Sequence, residues 1–269
     1  MAGRVVVRPP SSRLAEGLIT HIERVPVDVD LALAQWKSHV EAWRAEGWQI
    51  IEVESADDCP DAAFVEDTVV VYGSLAVISR PGADRRRPET GGTEETLRGL
   101  GYRMERIEEP GTLDGGDALK HNNRVWVGIG GRTNRAGVDQ LRTHLGPLGA
   151  EVVGVPVAKV LHLKSAVTAL PDGTVVGYAP VVDDPSVWPS FLPVPEETGS
   201  HVVVLDSETV LMAASAPRSR ELFEARGLRT VIVDISEYEK LEGCVTCLSV
   251  RLRGSPTQPV AAGRTGRDQ

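Results

Sequence analysis

A thiol, an imidazole and several carboxylates occur in this sequence where they could do chemistry. Two of the three cysteines, Cys244 and Cys247, lie in "EGCVTCLSVRL" (242–252). Asp61, Glu66 and Asp67 stand in "PDAAFVEDTVVV" (60–71), at the mouth of a strongly apolar run. Asp114 and Asp117 bracket two glycines in "TLDGGDAL" (112–119), and His162 sits in "VLHLKSAV" (160–167). These are the parts of nucleophilic catalysis on a cationic group: a cysteine to attack, a histidine to move protons, carboxylates to hold positive charge. Each also has a plainer reading. Loop acids cap or solvate, and Asp-Gly is a common turn. A lone histidine in an apolar segment is usually a satisfied core residue, and a free cysteine is commonly a small buried apolar one. Arg80, Arg85, Arg86 and Arg87 in "RPGADRRRPET" and Arg132 and Arg135 in "GIGGRTNRAG" could be solvated, or could clamp a carboxylate in a bidentate fork.

The Cys244-x-x-Cys247 pair is a poor metal or redox motif. A structural zinc site needs four ligands, yet Cys59 is distant in sequence and no histidine follows His201. A thioredoxin-type pair belongs where an early strand feeds a helix. "CVTCLSVRL" reads instead as a strand, which would set residues three apart on opposite faces. On that reading both thiols are buried and inert, or one of them faces a site.

The 269 residues carry a formal net charge of −9, which disfavours a nucleic-acid or anionic-membrane partner. "MAGRVVVRPPSSR" is too short in apolar character for a signal peptide, and no window approaches a membrane span of about 20 apolar residues. An odd cysteine count argues against a disulfide framework. The expected compartment is the cytoplasm.

The elements that must position these side chains recur. Apolar runs around short turns give hairpins over 68–79, 117–129, 160–179 and 201–214. Helical spacing is found over 29–46, about 89–99, 135–145 and 219–227, with a strand after each. Hairpin, helix and strand thus repeat every 40 to 50 residues or so, the signature of a radial or stacked array. The strand "RVVVR" (4–8) and the last strand, "VTCLSVRL", lack partners and would pair with each other, closing a ring of five. Residues 180–200 contain five prolines and read as a long loop in place of the fourth helix. Residues 1–253 are expected to form one catalytic domain, and 254–269 a disordered tail. In such a ring the acids before the second and third hairpins, His162 in the fourth unit and Cys247 in the last strand converge.

"FVEDT", "RPGADRRRPE", "LDGGDAL", "GRTNRAG", "HLKS" and "GCVTCLSV" resemble, in this order, the dimethylarginine dimethylaminohydrolases of the pentein, or guanidino-group-modifying, superfamily. The resemblance runs from about residue 4 to 252. It implies a five-bladed α/β propeller of ββαβ units. It implies hydrolysis of N-omega-methylated arginines to citrulline, with Cys247 as nucleophile, His162 as general acid then base, and Asp114 orienting it. It further implies that Asp61, Glu66 and Asp67 line the substrate site, that Arg86 and Arg132 bind the carboxylate, and that Leu18 and Leu241 make backbone or lid contacts. Cys244 matches no catalytic position. Bacterial members often carry Glu where this chain has Asp114, a shorter acid with altered reach. No cofactor is implied, although zinc could inhibit at Cys247 and His162. The expected partner is the small-molecule substrate, and a homodimer is a candidate assembly. The rivals are an arginine deiminase-like hydrolase and a non-catalytic binding propeller.

Overall fold

The computed structural model describes residues 3–253; the expected disorder of the tail falls outside them. The strands form five three-stranded sheets. The first joins β1 (Arg4–Val7) and β2 (Gln49–Glu52) to β15 (Val250–Leu252). The second holds β3 (Val69–Tyr72), β4 (Leu75–Ile78) and β5 (Arg103–Arg106), and the third β6 (Ala118–His121), β7 (Arg124–Ile129) and β8 (Glu151–Pro156). β9 (Val167–Ala169), β10 (Val175–Gly177) and β11 (Phe191–Pro193) make the fourth, and β12 (Val202–Val204), β13 (Thr209–Ala213) and β14 (Arg229–Val233) the fifth.

Every sheet has one plan. The middle strand is antiparallel to the first and parallel to the third, as in Val70↔Val77 and Val77↔Glu105. A parallel return needs a crossover. It is supplied by α1 (Val29–Ala45), α2 (Thr90–Gly99), α3 (Arg135–Leu145) and α5 (Pro217–Ala225). The crossover helices α1 and α3 start at side-chain caps: Asp28 accepts from Leu31 N, and Asn134 from Gly137 N. β15 pairs antiparallel with β1, Arg4 opposite Leu252, and closes the ring.

Blades pack through their alternating faces. Val5 and Val7 of β1 enter the core shared with the fifth blade, while Val6 enters the core shared with the second. Val70 likewise faces the third blade while Val69 and Val71 face the first. A strand buried on both faces must be apolar throughout, which is why these segments read as unbroken runs of valine.

Three local expectations are corrected. The proline-rich stretch 180–200 does replace a helix, but it also holds β11, parallel to β10 with Val175 opposite Phe191. His162 is not in a strand: it precedes the one-turn helix α4 (Leu163–Ala166), and the strand begins at Val167. Cys244 and Cys247 are not in a strand either. Cys247 N donates to Cys244 O at 3.0 Å and Ser249 N to Thr246 O at 3.3 Å, so the chain turns there and only Val250–Leu252 is extended. Short apolar runs have no period by which a single turn can be told from a strand.

These turns share a position. Single helical turns over 65–68, 115–117, 163–166 and 197–200 each lead into the first strand of a blade, and the cysteine turn leads into β15. They gather at the centre of the ring. A further turn, α6 (Ser236–Glu239), precedes the cysteine segment.

Candidate active site

Asp67, Asp114, His162 and Cys247 are all buried, and all come from these central turns or their edges. His162 Nε2 lies 3.0 Å from Asp114 Oδ2, and Nδ1 lies 3.7 Å from Asp67 Oδ1. Asp114 therefore reaches the imidazole despite its short side chain. Its other oxygen accepts from Gly82 N at 3.0 Å. Burial alone would pull the imidazolium down, but Asp67, Asp114 and Asp117 outweigh it and raise His162 to about 9. Burial also opposes ionisation of Asp67, yet His162, Arg86 and the Gly116 amide lower it to about 2.

The two glycines of "LDGGD" serve the site's own close packing. Gly116 N donates to Asp67 Oδ1 at 2.9 Å. A Cβ there would stand 2.5 Å from that oxygen and 2.8 Å from His162 Nδ1. Asp117 was legible as an acid but not as a part of the site. It accepts from Leu163 N at 2.8 Å and from Thr133 Oγ1 at 2.6 Å, and so fixes the turn that presents His162.

Cys247 shares a narrow pocket with His162 and Asp67. Its sulfur is 3.2 Å from that of Cys244, so the two thiols are partners, contrary to the strand reading. The bond to Cys244, burial, and the charges of Cys244, Glu66 and Asp67 hold the Cys247 thiol well above the usual cysteine range. Because the thiols share a hydrogen bond, their titrations belong to the pair.

Asp61, Arg86, Arg132, Leu18 and Leu241 line the same pocket, as do Phe64 and Glu242, which the sequence did not single out. Arg86 is largely engaged: it donates to both Glu89 oxygens and, at 2.7 Å, to Asp67 Oδ2. Arg132 is freer. Its Nη2 is 3.4 Å from Thr20 Oγ1, and its buried Nη1 has no hydrogen-bond partner among the described residues, lying 3.8 Å from Asp114 Oδ2. Asp61 accepts from Leu18 N at 2.9 Å through Oδ1, while its buried Oδ2 is unpartnered. Glu66 departs from expectation. Its carboxylate pairs with Lys164 at 2.5 Å and lines a separate cavity; successive residues of a tight helical turn point apart. Its backbone N–H still holds Cys247 O at 3.1 Å.

The segment around Leu18 closes the pocket, whose free volume of about 20 Å³ is close to that of one water. Glu242, at φ 60°, accepts from Thr20 N at 2.6 Å and His21 N at 2.7 Å. Arg85 donates to Glu16 O at 3.0 Å. Among the described residues, the donor atoms close enough together to share a metal ion are those of Asp67, Asp114 and His162, a set without a cysteine.

No protein-family model matches the chain. A Streptomyces coelicolor protein named N(G),N(G)-dimethylarginine dimethylaminohydrolase is 62% identical over 250 residues, covering 93% of this chain and 97% of that one. This chain belongs to the dimethylarginine dimethylaminohydrolase family. The Pseudomonas aeruginosa member is 34% identical over 254 residues, covering 93% of this chain and all of that one. A crystal structure of the Pseudomonas family member, a cysteine-to-serine variant complexed with citrulline, superposes with a TM-score of 0.87 at 32% identity. The N-terminal domain of ArgZ, a cyanobacterial arginine dihydrolase, shares the fold at 20% identity with a TM-score of 0.85. The family's architecture is thus the five-bladed α/β propeller found here. No helix among the described residues is long and apolar enough to cross a membrane.

Proposed function

We propose that the protein hydrolyses asymmetric dimethylarginine and monomethylarginine to citrulline and the corresponding methylamine. One observation carries this reading: the pocket that holds Cys247, His162 and Asp67 also holds a carboxylate oxygen on Asp61 and a guanidinium nitrogen on Arg132 that have no hydrogen-bond partner among the described residues, the latter only 3.8 Å from Asp114 Oδ2. These are the complements of an α-amino and an α-carboxylate group. Relatives named for dimethylarginine, and a relative with bound citrulline, support the same substrate class.

The roles follow from charge and reach. Arg132 takes the carboxylate, with Arg86 adding positive potential beside it, and Asp61 takes the amino group. Asp67 holds the guanidinium so that its carbon faces Cys247, and Asp114 orients His162. A guanidinium is a resonance-stabilised, poor electrophile, so orientation and charge compensation are the main aids available. The cation lowers the cost of a thiolate on Cys247; the thiol proton leaves to solvent as substrate enters, and the thiolate attacks the central carbon. His162, protonated at neutral pH, gives its proton to the departing amine and leaves a covalent thiouronium. The neutral imidazole then takes a proton from water, which attacks the same carbon; the C–S bond breaks and citrulline leaves. No cofactor enters the scheme, and zinc captured by the buried donors would inhibit it. A reducing, cytoplasmic setting suits a reaction that needs a free thiol.

The test is citrulline formation from asymmetric dimethylarginine, with arginine as a second substrate, by the wild type and Cys247→Ser. Turnover of the methylated compound, lost in the variant, is the expected result. Turnover of arginine alone would make the protein a deiminase-like hydrolase instead.

A further inference from the structure

A second cavity, of about 360 Å³, lies back to back with the substrate pocket along the centre of the ring. Chain neighbours divide between them: Asp67 and Cys247 line the pocket, Glu66 and Thr246 the cavity. Among the described residues, four basic side chains line the cavity, Lys120, Lys164, Arg251 and Arg253, against one carboxylate, Glu66. Among the described residues, Lys164 alone is paired with that carboxylate. The other three are recorded on carbonyl oxygens, which satisfy a donor but do not neutralise a charge. Lys120 Nζ donates to Val71 O at 2.8 Å, and Arg251 and Arg253 both donate to Val204 O, at 2.6 and 2.8 Å. Sharing one oxygen holds two guanidinium groups against each other. Burial and the neighbouring cations press Lys120 down to about 7 and Arg251 down to about 10. Gathering like charges in a space only partly open to water is unfavourable unless something neutralises them.

Two more atoms point to the missing group. Ser249 Oγ and Glu66 Oε2 are buried without hydrogen-bond partners among the described residues, and both residues line this cavity. A hydroxyl can donate to an oxyanion. A carboxylate oxygen cannot, but it can accept the proton that a monohydrogen phosphate carries. We infer that this cavity binds a small multivalent oxyanion of the phosphate class, seated among Lys120, Lys164, Arg251, Arg253 and Ser249. The cavity exceeds one phosphate, so a diphosphate or a small phosphomonoester also fits. The inference does not depend on the reaction at the other end of the ring.

Calorimetric titration of the full chain with inorganic phosphate, pyrophosphate and glycerol phosphate, at ionic strength fixed with sodium chloride, tests it. The expected result is saturable binding of at least one of them at one per chain. Lys120→Met and Arg251→Met should each weaken it about tenfold or more, the loss of one charge-assisted hydrogen bond. Arg132→Leu, in the substrate pocket, should leave it unchanged. Which of the three binds most tightly separates an inorganic ion from a phosphorylated metabolite. No saturable binding beyond the chloride background would overturn the proposal, as would binding that survives Lys120→Met or is lost with Arg132→Leu. Lys120 is half-buried, so its variant carries the test if Arg251→Met does not fold.

Discussion

At the scale of residues, the site sets its protonation states by packing carboxylates round one imidazole and one thiol. The charges that act on the Cys247 thiol in the resting pocket are those of Cys244, Glu66 and Asp67, and with burial they oppose the thiolate. Alkylation of the substrate-free protein should therefore keep accelerating past pH 9, and a plateau below pH 8 would contradict this account. His162 behaves oppositely. Its folded value, about 9, lies above the ordinary value near 6.5. The charged imidazole thus adds stability that is complete below about pH 6.5 and lost as the pH rises through about 9. Thermal melts from pH 6.5 to 9.5 should show wild-type Tm falling more steeply than that of His162→Gln. Parallel curves would show that the imidazolium contributes nothing to the fold. Gly116 sets the spacing between Asp67 and His162, and a methyl group there must displace one of them. Gly116→Ala should lower kcat about 100-fold, the usual cost of misplacing a reacting group by an ångström; near-wild-type turnover would mean the spacing is not critical.

At the scale of elements, the hairpins were legible as apolar runs broken by short turns, and a crossover helix such as α1 by the 3.6-residue spacing of its apolar side chains. The turns that carry the chemistry were not. Four residues such as Leu163–Ala166 are too few to show a period, and what makes them helical is tertiary: Asp117 accepting from Leu163 N. The same brevity hid the 3.2 Å approach of Cys244 to Cys247 and the outward turn of Glu66. The segment over the pocket is held by Glu242, whose left-handed backbone a glycine adopts without strain. Glu242→Gly should keep the turn and release Thr20 and His21, raising KM about tenfold through the lost charge-assisted hydrogen bonds. An unchanged KM would show that closure does not depend on this latch.

At the scale of the whole molecule, the ring exists to bring five equivalent turns to one axis. Its closure by β15 against β1 places the cysteine turn beside those of Asp67 and His162, which lie about 80 to 180 residues away in sequence. Leu75, buried between the second and third blades, should cost about 2–5 kcal/mol when changed to Ala, measured by urea unfolding, because blade packing is what holds the ring shut. A loss below 1 kcal/mol would mean that the blades do not depend on this contact. All of this converges on one atom, the sulfur of Cys247. The direct measurement is to quench the protein in acid during turnover of asymmetric dimethylarginine and map the covalent adduct by peptide mass spectrometry. The account predicts a thiouronium on Cys247, absent in Cys247→Ser and present in Cys244→Ser. An adduct on Cys244, or turnover that persists in Cys247→Ser, would contradict it.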